Sequence, residues 1–270
     1  MIPSHFPLMI MAETRKVFTR GSGYFVLGLS FVVGLLTFLM MWRISSGQSQ
    51  ISINNQQAGQ LAASWTAIDV AGWALFMRNL FILPVSLVLA TAASVAGEFG
   101  DRTMRELLVR PVSRMSVLLA KLISLEILSV VSLAITLSVS FLGGLAIGVP
   151  SDATKVLELS TGYLASAATD FEWIALAVVL AVFLQSTGGV VVGMVVGLGL
   201  DLLLMGFLKV VSLMGLEQAS ELIKFTVWNG LFAWTGWEWG WEGLRMASVL
   251  IVTGVALVVG IGRFSQQDVL

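Results

Sequence analysis

From Tyr24 to Trp42 the chain carries no charged residue, and a run of that kind has few ways to fold. About 20 apolar residues wound as a helix cross the hydrocarbon of a bilayer, and in lipid only a helix or a closed barrel satisfies its own backbone. Five further apolar runs follow, giving six expected spans at 24–42, 71–96, 116–149, 165–184, 190–207 and 246–261. With 57% hydrophobic residues, 11% charged residues and a mean hydropathy of +0.93, the chain has well under the charge of an average soluble domain, about 25%. The expected class is an all-α integral membrane protein with one transmembrane domain over 1–270.

The polar stretches between the runs set the rest of the plan. Residues 1–20 mix Leu8, Met9, Met11, Val17 and Phe18 with Glu13, Arg15, Lys16 and Arg20, the composition of an N-terminal interfacial helix with its basic side among lipid headgroups. No small-residue cleavage site follows the first run, so it reads as a span and not as a removed signal. Arg43 to Asp69 is rich in Gln, Asn and Ser and reads as a solvated outer loop, with 48–60 the part that would meet a periplasmic or surface partner. The second run has Arg78 near its outer end, where it can snorkel, and Pro84 inside, which should bend it. Residues 150–172 read as an outer loop overlapping the head of the fourth span. Gln185 to Gly189 forms a tight link to the fifth, and 209–242 reads as short re-entrant helices dipping into the outer leaflet.

Six spans put both termini on one side. With that side cytoplasmic, Arg15, Lys16, Arg20, Arg102, Arg105, Arg110, Arg114, Lys121 and Arg263 lie inside, the majority of the 15 Lys and Arg, as the positive-inside rule asks. The same topology sends all 9 tryptophans, Trp73 and Trp173 among them, to outer ends and outer loops, where they would form an interfacial belt. In this plan the first turns of the third span, with Lys121, project into the cytosol.

The one long charged interlude between spans runs from Glu98 to Lys121. Within it Arg102, Arg105, Glu106 and Arg110 interleave with Met104, Leu107 and Leu108, whose three- and four-residue spacing gathers them on one side of a short amphipathic helix. Pro111 ends that helix, and Ser113 offers a cap to a second one starting near Arg114. Glu98, Thr103, the pair Leu107-Leu108, Pro111-Val112-Ser113-Arg114 and Lys121 together resemble the loop after the second membrane helix in permeases of the type-2 ABC transporter family. This chain departs from the family in having Arg102 where glycine often precedes the threonine.

That resemblance implies a permease subunit of the bacterial inner membrane in which 98–121 includes a cytoplasmic coupling helix. It implies cytosolic ATPase subunits as partners, a second permease copy, identical or similar, and ATP with magnesium bound by the ATPases and by nothing in this chain. The contacts it assigns to the ATPase are Glu98, Arg102, Thr103, Met104, Arg105, Leu107, Leu108, Pro111 and Arg114. Other classes stay open beside it: an autonomous channel or secondary transporter, or a scaffold that recruits a cytosolic protein. Dependence on ATP separates the first from both.

Two acids stand inside the expected spans as candidates for a translocation path. Asp201 is about eleven residues into the fifth span, near mid-membrane, where an acid must face protein or water; Glu126 is shallower in the third. Either could equally hold helices together. Gly189, Gly193 and Gly197 form a ridge of small residues that permits close helix approach, within one subunit or between two. Chemistry is bounded by absence. There is no cysteine and one histidine, His5, so neither a metal site nor a thiol or histidine-assisted nucleophile is expected. No GxxxxGK[ST] occurs to cradle phosphate, and with Asp201 taken as the lone aspartate at depth there is no acid dyad. No catalytic residue is expected, and a net charge of −1 gives no reason to expect nucleic acid.

Overall fold

Apolar runs become helices here, several of them opened by a cap or a proline. The computed structural model describes residues 5–46, 52–53, 56–57, 66–80, 82–101, 113–146, 156–223, 226–227 and 243–266. Phe6–Thr19 (α1) has proline in its first turn, where the missing N–H costs nothing, and turns at an extended Arg20 into Gly21–Ser45 (α2). Ser52–Ile53 (β1) and Gln56–Gln57 (β2) pair antiparallel with Ser52 opposite Gln57. Ala67–Asn79 (α3), Ile82–Gly100 (α4), Arg114–Ala146 (α5), Val156–Leu184 (α6), Thr187–Leu213 (α7), Glu217–Ile223 (α8) and Gly243–Gln266 (α9) complete the described chain. Five of these helices are long and apolar enough to cross a bilayer, and six spans result if the bent pair α3 and α4 counts as one. The protein is a helical, multi-pass membrane protein.

Pro84 does bend the second span, but four residues before itself. A proline ring collides with the carbonyl of residue i−4 in a helix, which here belongs to Leu80, and Leu80 is extended (ψ 99°). Helix resumes at Ile82, so Pro84 falls in the first turn of α4, and the two halves meet at 52°. At the outer start of α3, Thr66 and Asp69 form a capping box: the Thr66 hydroxyl accepts from the Asp69 amide at 3.3 Å, and the Asp69 carboxylate accepts from the Thr66 amide at 2.7 Å. Ser113 opens α5 in the expected way, its hydroxyl accepting from the Ser116 amide at 3.1 Å.

The link between α6 and α7 is shorter than expected. Gln185 takes the left-handed conformation (φ 50°), Ser186 caps α7, and helix restarts at Thr187. At the far end of α7, Gly215 (φ +99°) reverses the chain and α8 packs back along α7. The described part of 209–242 therefore returns along α7 as far as Val227, whose amide donates to the Asp201 carboxylate at 3.3 Å.

The largest core cluster joins α4, α5 and α6 with Val17, Val26, Met194 and Phe264 from α1, α2, α7 and α9. A smaller one joins the N-terminal parts of α3 and α6 with α5, where the Tyr163 hydroxyl donates to the Ala71 carbonyl at 3.1 Å. Trp173 belongs to the large cluster and is 2% exposed, so it is a packing residue and not part of an interfacial belt. Its position follows from α6 being longer than its apolar tail suggests: helix begins at Val156, and Asp170, Glu172 and Trp173 lie near its middle.

Candidate functional site

Two clusters of buried charge organise the bundle. The first is at the C-terminal end of α4, where the charged interlude begins. Glu98 has no exposed surface and is gripped from three sides: by Lys16, by Arg20 (Nη2 at 3.1 Å) and by Lys121 (Nζ at 2.7 Å). Lys121, itself fully buried, also reaches Glu13 at 2.7 Å, and Arg20 donates to the Ala93 carbonyl at 2.9 Å. One carboxylate thus ties α1, the start of α2, α4 and α5 together. Three cations against two acids leave an excess of one positive charge. The basic side of α1 is accordingly turned toward protein through Lys16, with Arg15 exposed. Lys121 does not project into the cytosol; it lies inside this cluster.

The second cluster is at the break in the second span. Arg78 ends α3 with no exposed surface, and its guanidinium pairs with Asp170 of α6. It also donates to Ser132 at 3.1 Å and to the side chain of Asn79 at 3.1 Å, while Ser129 donates to Asp170 and Asn79 donates to Ser166 at 2.8 Å. Arg78 therefore does not snorkel. Helix α3 begins at Ala67, which carries the end of α3 about 18 Å below its start, too deep for a guanidinium to reach the surface. A charge at that depth is costly unless paired and hydrogen-bonded; the α5 serines add a bond to each partner, Ser132 to Arg78 and Ser129 to Asp170, while Arg78 Nε has none. Ser129, Ser132, Thr136 and Ser140 recur every three or four residues on one buried face.

The expected site residues are distributed as follows. Glu98 is internal and so faces its three cations. Arg102, Thr103, Met104, Arg105, Leu107, Leu108 and Pro111 lie outside the described residues. Arg114 opens α5 on the surface, with Nη1 3.5 Å from the Ser265 carbonyl at the end of α9. Glu126 lies near Asp170 and Arg78, within reach of their charges, and its Oε2 has no hydrogen-bond partner. Asp201 is half-buried on α7. Gly189 and Gly193 face α6, where an added Cβ would stand 3.4 Å from Leu184 and Leu180, and Gly197 has nothing within 4 Å. Asp170 is a second aspartate at depth, so Asp201 is not alone there. Among the described residues no group of three or more His, Cys, Asp or Glu could hold a metal ion.

The bundle of apolar helices thus carries a broken second span, a buried ion pair at the break and an ionic knot at the root of the charged loop. Residues 9–200 match the family model described as ABC-2 family transporter protein, and the chain belongs to that family, as a membrane component of an ABC transporter. No curated protein matches the chain.

Proposed function

We propose that this chain is the translocating subunit of an ATP-driven exporter in the bacterial inner membrane, with both termini cytoplasmic. It works as one of two permease copies, identical or similar, on separate cytosolic ATPase subunits, and ATP with magnesium is held by those subunits. The ATPase docks on 98–121 through Met104, Leu107 and Leu108, with Arg102, Arg105 and Arg114 as polar contacts and Thr103 and Pro111 shaping the loop. The observation that supports this reading best is the grip of Lys16, Arg20 and Lys121 on Glu98. A loop rooted on a carboxylate shared by four helical segments cannot be pushed without moving α1, α4 and α5 together.

Glu98 then acts as a positioning residue and not as a docking contact, because it has no surface to offer a partner. The short helices of 209–242 dip into the outer leaflet, a reading favoured by the hydrogen bond from Val227 to Asp201, which draws that segment down beside the middle of α7. The docking reading is tested by purifying the tagged protein in mild detergent from its own cells. Wild type is expected to bring an ATPase with it, and Leu107→Asp, equally inserted, to lose it. An ATPase that stays with Leu107→Asp overturns the docking surface, and none with either overturns the exporter.

A further inference from the structure

Two contacts fix how α6 and α7 face each other. Gly193 lies against Leu180, and Gly189 against Leu184, so each four-residue step outward along α7 answers a four-residue step back along α6. Two further steps from Gly193 lead to Asp201, and two from Leu180 lead to Glu172. The hairpin therefore sets these carboxylates opposite one another at mid-membrane, and they lie within coulombic range. A third element arrives at the same level. An added Cβ at Gly260 of α9 would stand 3.1 Å from Val179 of α6, and Val249, Thr253, Ala256 and Gly260 share the buried side of α9. In the six-span order α6 and α9 run parallel, so two helical turns outward from that contact carry Val179 to Glu172 and Gly260 to Thr253.

Glu172 is 2% exposed and Thr253 6%, and neither Glu172 Oε2 nor Thr253 Oγ1 has a hydrogen-bond partner. An unpartnered polar group in a membrane interior costs several kcal/mol, and two such groups at one level beside a second carboxylate call for a positively charged guest. Among the described residues, the basic side chain at this depth on an element packed against α6 is Arg78, and it is committed to Asp170. The donors are only two carboxylates and a hydroxyl, fewer than the six or more oxygens a hard inorganic cation takes. An organic ammonium, with three N–H donors to satisfy, needs fewer. Beside Asp201 there is also room for an apolar body: Gly197, one turn along, has nothing within 4 Å, and Leu204, one turn the other way, is exposed.

We propose that Glu172, Asp201 and Thr253 form a mid-membrane site for the ammonium head of an amphipathic organic cation, whose apolar body lies along α7. That the cation is cargo rests on the exporter reading; that it binds does not. The test uses full-length protein in nanodiscs titrated with dansylcadaverine, a fluorescent amphipathic amine, against its N-acetylated, uncharged form. Saturable binding above empty nanodiscs is expected, at least tenfold weaker for the acetylated form and for Glu172→Gln, severalfold weaker for Asp201→Asn and Thr253→Val, and unchanged for Glu221→Gln on the exposed side of α8. Wild-type binding no better than empty nanodiscs, equal binding of the acetylated form, or undiminished binding by a folded Glu172→Gln overturns the site. Binding without an associated ATPase would sink the exporter reading and keep the site; an associated ATPase without binding would do the reverse.

Discussion

The inner knot around Glu98 and the buried pair at Arg78 are both made of opposite charges, yet they are built for different tasks. Arg78 and Asp170 pair directly, are hydrogen-bonded by short serine and asparagine side chains with Glu126 nearby, and are fastened to the point where the second span breaks. At Glu98 one carboxylate is shared by three long cationic side chains from different elements. Two of these keep contact with solvent, with side-chain exposures of 36% for Lys16 and 28% for Arg20. Long stems can follow a moving partner and short ones cannot. A fixed pin thus stands at the break in the second span and a compliant joint at the far end of α4, with α4 the rod between them.

The largest effect should come from breaking the pin. Asp170→Leu leaves Arg78 buried and unpaired, and stranding one partner of a buried pair costs about 3–5 kcal/mol. Thermal unfolding in detergent should fall sharply or the protein should fail to accumulate, and Arg78→Met combined with Asp170→Leu should recover much of the loss. If the single variant is as stable as wild type, the pin is not a pin. Next comes the joint: Glu98→Gln leaves Glu13 as the one carboxylate against Lys16, Arg20 and Lys121 in this cluster, and Lys121→Met in the same chain should restore stability without restoring coupling, a split that a purely structural knot would not give. Smaller still, Lys16→Ala alone should cost about 1 kcal/mol or less, since partly exposed pairs contribute little. Raising the salt should shrink its effect and leave that of Asp170→Leu untouched. Least of all, Gly193→Ala should leave stability nearly unchanged, because its Cβ would meet Leu180 at an ordinary 3.4 Å.

How much of this was legible in the sequence differs between the two regions for a physical reason. Hydropathy locates the spans because lipid penalises any unpaired backbone, and Ser113 and Pro84 announce a helix start and a break by local chemistry. The pin was hidden because its partners are 92 residues apart, and because Asp170 and Glu172, two acids close together, resemble a loop until the helix from Val156 is seen to carry them inward. A signal was present on the other side: Ser129, Ser132, Thr136 and Ser140 on one face of an otherwise apolar helix indicate a polar guest. Trp173 misled in the same way as Asp170, since an aromatic beside acids looks interfacial. Glu98 was marked out by resemblance as a contact for the ATPase, but burial gives it an inward-facing role that motif matching cannot distinguish from an outward one.

The proposed joint at Glu98 is tested most directly by ATP-driven efflux, measured for wild type with the ATPase it is expected to bring through purification and repeated for Glu98→Gln. The variant is expected to keep its ATPase partner and to hydrolyse ATP while moving no cargo, because the docking surface is intact and only the linkage behind it is cut. Normal efflux by Glu98→Gln would contradict the claim that movement passes from the loop to the spans through that carboxylate.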